Sequence, residues 1–300
     1  MVDQLLQQFI EEEALPESYS EDAQRWFLPL LPQLKRARSD KAGPLLLGIN
    51  GAQGTGKSTL AALLTKLLAS EGFVVANLSI DDFYLSRATR EELARTSHPL
   101  LASRGVPGTH DTELLRDKIS ELSAAGEQQS VAIPRFDKSS DDCCPESEWP
   151  TLQGPVDFII LEGWFIGLQA QAETDLDAAV NALEEKEDSE GKWRRLVNTA
   201  LAGDYQEVFS KLDSLLMLRA PSFDQVYEWR RVQEDKLRAR SAPGASGIMD
   251  NDTLVRFIQH FERLTRHCLS TLPDQADRVF ALDAGHRVVS CQPPYERPTD

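Results

Sequence analysis

One octapeptide restricts what this chain can fold into more than any other stretch. Gly51-Ala52-Gln53-Gly54-Thr55-Gly56-Lys57-Ser58 fits GxxxxGK[ST] at every fixed position. The glycines let successive backbone N–H groups turn inward on phosphates, Lys57 is placed to reach the β and γ phosphates, and the Ser58 hydroxyl suits Mg²⁺. With Thr59, the whole stretch from Gly51 is the expected nucleotide contact. A glycine-rich turn that binds nothing is the bland alternative. The flanks argue against it: residues 45–50 (LLLGIN) suit a buried parallel strand, and residues 58–70 (STLAALLTKLLAS) have helical periodicity. Strand, loop and helix arrive in the required order.

Charge narrows the partners. In 300 residues, 48 acidic side chains against 32 basic ones give a formal net charge of −16, which disfavours a general binder of nucleic acid or anionic membrane. An anionic substrate must therefore be met by a local cluster of cations. The apolar runs are shorter than a membrane span, and the opening MVDQLLQQFIEEE lacks the order of a signal peptide, so a cytoplasmic protein is expected. The four cysteines, an adjacent pair at Cys143 and Cys144 with Cys268 and Cys291, have no metal-ligand spacing and are read as free thiols.

The organisation follows from periodicity and breakers. Residues 1–42 carry two amphipathic helical patterns and are read as a helical N-terminal extension, ahead of one domain over 43–300. Residues 73–80 (FVVANLSI) read as a second strand running straight into Asp81-Asp82, and in open α/β sheets ligands bind at that strand end. These acids are candidates for chemistry, against the alternative of helix capping. The loop 104–111 (RGVPGTHD) is too rich in turn formers for helix and resembles a substrate loop, which makes Arg104, His110 and Asp111 candidates. Asp111 could equally cap the helix expected over 112–125, and a lone histidine such as His110 is more often structural than catalytic. After a short strand at 131–134, Arg135 and Lys138 lie close together and suit an anionic group.

A continuous apolar strand over 156–161 ends in Glu162, where this type of phosphate loop keeps the carboxylate that holds Mg²⁺ or its water. Residues 170–213 read as a charged helical insertion, with the run 184–188 (EEKED) as a solvated face. Beyond a core strand at 215–218, a helix over 222–240 carries Arg230 and Arg231 and is followed by SAPGASG over 241–247. Helix and hinge together make a lid over about 222–250; i,i+4 pairing on a solvated helix is the competing reading. A last helix (250–270) and strand (278–282) complete an alternation that argues for an α/β fold, a mostly parallel sheet with helices on both faces.

The ordered set GAQGTGKST, SIDDFYL, RGVPGTHD, VAIPRFDKS, LEGW and APSFDQVYEWRRVQEDKLR resembles P-loop kinases of the uridine kinase and phosphoribulokinase group, and within it the D-glycerate 3-kinases. The resemblance runs from about residue 45 to residue 288. It implies a P-loop NTPase three-layer sandwich with a lid, acting as a monomer or homodimer with ATP and Mg²⁺. By position it makes Asp81 the base, places Asp82 where uridine kinases often have Ser, puts Tyr84 with the substrate residues, matches Glu162 to the metal-side acid and sets Arg230 and Arg231 among the lid arginines.

Phosphoryl transfer needs positioning and charge neutralisation more than covalent chemistry. A catalytic set of Lys57, Asp81, Arg230 and Arg231, with Asp82, Tyr84, Arg104, His110, Asp111, Arg135 and Lys138 around the acceptor, is a sufficient kit. The expected substrate is a small hydroxy acid such as D-glycerate. A nucleoside or sugar kinase and a non-enzymatic ATP-binding regulator are the alternatives; a GTPase would need a guanine-specifying NKxD segment, which the sequence lacks.

Overall fold

The computed structural model describes residues 2–240 and 251–294. Three helical pieces come first: α1 (Val2–Glu12), α2 (Ser18–Asp22), which runs on into a π turn, and α3 (Leu30–Ser39). Then follow β1 (Leu45–Gly51), α4 (Lys57–Ser70), β2 (Val75–Ser79), α5 (Arg87–Thr96) and α6 (Thr112–Ala124). Four short strands, β3 (Ser130–Ala132), β4 (Phe136–Asp137), β5 (Asp142–Cys143) and β6 (Thr151–Gln153), precede β7 (Phe158–Gly163). After α7 (Ala182–Glu187), α8 (Lys192–Ala202) and α9 (Asp204–Phe209) the chain returns through β8 (Ser214–Arg219). It closes with α10 (Phe223–Arg240), α11 (Asn251–Thr271), β9 (Arg278–Leu282) and β10 (Val288–Gln292).

The main sheet has the order β10-β9-β8-β1-β7-β2, parallel throughout except for β10 on β9. Because successive side chains alternate across a strand, each central strand feeds two cores. Leu47 and Ile49, Phe158 and Ile160, and Leu216 and Leu218 pack with α1, α3, α4 and α10, while Ile159, Leu161, Leu215 and Met217 pack with α6, α8, α9 and α11. This is an α/β sheet covered on both faces. The N-terminal helices are a layer of that cover: Leu6, Phe9 and Leu34 share a core with Leu60 and Leu64 of α4.

Two expectations change, and one helix is new. The strand near residue 131 lies outside the parallel sheet, pairing antiparallel with β6 in a separate ribbon. The acidic run 184–188 is a solvated face only in part: Glu185, Lys186 and Glu187 are exposed, but Glu184 and Asp188 are buried. Arg263 donates to both Glu184 oxygens at 2.7 and 2.6 Å, and Asp188 accepts the Trp193 and Arg194 N–H groups at the start of α8 while pairing with Arg194. Carboxylates enter a core only with such partners. Finally, α5 was not expected from periodicity at all. The proposed hinge over 241–247 lies outside the described residues.

Candidate functional site

The cradle is the turn from β1 into α4. Gly54 and Gly56 have φ of +84° and +85°, a left-handed conformation that costs little only for glycine. Thr55 Oγ donates to the Ala52 carbonyl at 2.8 Å and closes the loop. No side chain caps α4, so its first-turn N–H groups face outward at the positive end of the helix, as an anion requires. Ser58 Oγ donates to Glu162 Oε1 at 2.9 Å. Glu162 lies at the end of β7, level with Ile49 of β1 and Ser79 of β2, and its Oε2 is buried with no hydrogen-bond partner among the described residues. A hydroxyl and an unsatisfied carboxylate oxygen beside a phosphate cradle form a hard oxygen donor set of the kind Mg²⁺ selects.

Asp81 and Asp82 occupy a 3₁₀ turn immediately after β2, and the structure gives them different surroundings. Asp81 accepts from Lys138 Nζ at 2.6 Å and from the Tyr84 hydroxyl at 2.7 Å. Burial alone would raise its pKa, but Lys138 and Lys57 outweigh burial and hold the carboxyl down to about 2. Asp82 accepts from Arg135 at 3.1 Å and from the Phe136 N–H at 3.2 Å, and its pKa is raised, chiefly by burial.

A cavity of about 130 Å³ opens beside Lys57 and Asp81 and is lined by Gln53, Tyr84, Arg104, Lys138 and Arg230. Its remaining wall is aromatic: Trp164, Phe257 and Phe261, to which the sequence analysis gave no role of their own. Trp164 Nε1 donates to the Gly105 carbonyl at 3.0 Å. Gly105 has φ of +128°, and a Cβ there would lie 2.5 Å from the Phe261 ring. Only glycine lets this loop meet α11.

Arg104 pairs with Asp141 and lies 5.5 Å above the Phe136 ring. Behind it, the fully buried Arg90 of α5 donates to the carbonyls of Leu85, Ala102 and Asp141 at 3.1, 2.8 and 2.8 Å. Arg230 reaches the cavity from α10, with its guanidinium 5.9 Å from the Phe257 ring centroid.

Five sequence candidates for catalysis or the acceptor do not line this cavity, Asp82 among them, since its carboxylate is held by Arg135 and the Phe136 N–H. Arg231 is half-buried and pairs with Glu228 and Asp235 of its own helix, as the solvated-helix reading has it. Asp111 caps α6 by accepting from the Leu114 N–H at 2.9 Å. Arg135 is turned to Asp82 rather than to the cavity. His110 is buried, stacked on Tyr84 at 4.6 Å and hydrogen-bonded to Tyr205 at 2.8 Å, and burial lowers its pKa to about 3. It is neutral near pH 7 and adds no positive charge beside the cavity.

No protein-family profile matches the chain. It is 32% identical over 273 residues to an uncharacterized kinase of Schizosaccharomyces pombe, covering 82% of this chain and 94% of that one. It is 28% identical to the chloroplastic D-glycerate 3-kinase of Arabidopsis thaliana over 81% of its own length, spanning about half, 53%, of that relative. Among solved structures, the D-glycerate 3-kinase of Cryptococcus neoformans superposes with a TM-score of 0.70 at 26% identity, over 87% of this chain and 95% of that one. Among the described residues no helix is long and apolar enough to cross a membrane. Relatives this similar along most of their length, joined to a phosphate cradle on a parallel sheet, assign the chain to the glycerate 3-kinase-like P-loop kinases, phosphotransferases with an alcohol group as acceptor.

Proposed function

We propose that this kinase transfers the γ-phosphoryl group of ATP to D-glycerate, giving 3-phosphoglycerate. The observation that carries the reading is the acceptor cavity, about 130 Å³ and lined by Lys57, Arg104, Lys138 and Arg230 around Asp81. Drug-sized ligands occupy pockets of roughly 300–1,000 Å³, so this volume favours a three-carbon acid over a nucleoside. The cations favour an anionic acceptor.

In this reading the loop N–H groups and Lys57 hold the β and γ phosphates. Ser58 and Glu162 hold Mg²⁺, which when bound supplies charge neutralisation across those phosphates. Arg104 clamps the substrate carboxylate from the rim, and Arg230 neutralises charge on the transferring group. Asp81 accepts the hydroxyl proton. Its low pKa is compatible with that role, because in a loose transition state the attacking hydroxyl keeps its proton until late, and a carboxylate already ionised then receives it.

The test is an ADP-release assay across D-glycerate, L-glycerate, uridine, ribulose 5-phosphate and pantothenate. D-Glycerate should give the highest kcat/KM. Turnover of uridine or ribulose 5-phosphate without turnover of D-glycerate would overturn the assignment, and ATP binding without any acceptor-stimulated turnover would favour a regulator.

A further inference from the structure

A second cavity, of about 230 Å³, meets the cradle at Gly54, Thr55, Gly56 and Thr59 and shares no lining residue with the acceptor cavity. The loop is thus a partition. A triphosphate held on its N–H groups, with the γ end toward Lys57 and Asp81, must send its nucleoside away from the acceptor. The larger hollow along α10, about 550 Å³, touches the loop only at Gly54. The cavity that follows the loop into the first turn of α4 is the one continuous with the α-phosphate end.

Its far wall comes from a part of the chain to which the phosphate-loop pattern gives no role. Leu15, Pro16, Ser18 and Tyr19, at and before α2, face the cradle across the cavity. Tyr19 is fixed from behind by Phe9 and Phe27, with ring centroids 6.4 and 6.1 Å away. The third wall is the turn between β9 and β10, where His286, at φ +65°, stacks on Trp229 at 4.3 Å. Arg287 ties that turn to α2 by donating to both Asp22 oxygens, at 2.9 and 3.0 Å, and to Glu21 at 2.9 Å. An apolar, partly aromatic slot beside backbone donors suits a planar heteroaromatic base.

We propose that the N-terminal helices are a working part of the nucleotide site, with Leu15, Pro16 and Tyr19 forming the wall against which the base of ATP rests. The proposal builds on the reading of the cradle as an ATP site. Leu15→Trp and Ser18→Trp fill the slot while leaving Tyr19 packed on Phe9 and Phe27. Calorimetry with ATP·Mg²⁺ and with inorganic tripolyphosphate·Mg²⁺, which lacks a base, separates the two ends of the ligand. Both variants should bind ATP at least tenfold more weakly than wild type and bind tripolyphosphate within about twofold of it. Unchanged ATP affinity in both variants, or equal loss for ATP and tripolyphosphate, would overturn the proposed wall. Failure of the cradle reading shows separately, as a wild-type protein that binds neither ligand.

Discussion

The Ser58 hydroxyl donates to Glu162 across 2.9 Å, joining the first turn of the cradle helix to the strand beside β1. Glu162 keeps its other oxygen buried and unsatisfied among the described residues. Glu162→Gln should therefore raise the Mg²⁺ concentration needed for half-maximal rate and lower kcat by about 10² to 10³, the range seen when one preorganised electrostatic contact is lost. Titration of rate against Mg²⁺ at saturating ATP checks this; an unchanged Mg²⁺ profile would remove Glu162 from the metal side.

Asp81→Asn should lower kcat by about 10² to 10⁴ with ATP affinity nearly unchanged, as expected for losing a general base. Since Lys138 and Lys57 hold the Asp81 carboxyl down to about 2 against the effect of burial, the wild-type rate should show no Asp81 titration between about pH 5 and pH 9. The same depression makes ionised Asp81 stabilising above the ordinary carboxylate range. That contribution is lost as pH falls from about 4 toward 2, so the stability gap between wild type and Asp81→Asn should change across that window and be flat above it, as read by denaturant melts at each pH.

Arg104 lines the acceptor cavity, whereas Arg135 faces Asp82. Arg104→Ala should raise the KM for D-glycerate by about ten- to a hundredfold, equivalent to roughly 1.5–3 kcal/mol for a lost charge-assisted bond. Arg135→Ala should affect KM less. The reverse order in steady-state kinetics would exchange their roles.

Arg230 and Arg231 are neighbours in sequence and equally half-buried, but Arg230 lines the cavity while Arg231 is held in ion pairs with Glu228 and Asp235 along α10. Arg230→Ala should depress kcat by up to about 10³, while Arg231→Ala stays near wild type. Equal losses in the two variants would mean that the helix rearranges during turnover.

Continuous apolar runs made the central strands readable, since a strand buried on both faces leaves no alternation to misread. Helix α5 was hidden because the residue it buries is Arg90, so no apolar period marks its inner face. The burial of Glu184 depends on Arg263, 79 residues away, and no local charge pattern reports that. Motif spacing singled out Lys57, Asp81, Tyr84, Arg104, Lys138 and Arg230, and the fold brings all of them to the wall of one cavity at the same end of the sheet. The aromatic wall was missed because Trp164 follows an apolar strand, and Phe257 and Phe261 lie on the apolar side of an amphipathic helix, where core and pocket lining look alike. Arg135 and His110 could not be sorted from Arg104 by composition, since only tertiary structure shows that Arg104, though paired with Asp141, lines the cavity while Arg135 faces Asp82 and His110 is buried.

The Arg90 guanidinium is a shared keystone. Leu85 adjoins Tyr84, Ala102 leads to Arg104, and Asp141 is the partner of Arg104, so one buried cation pins three separate stretches of the acceptor rim. Displacing any one of them strands a charged donor away from water, at a cost of about 1.5–3 kcal/mol for each bond broken. The three stretches are therefore held as one unit, and the rim of the cavity is preorganised by a cation that does not itself line it.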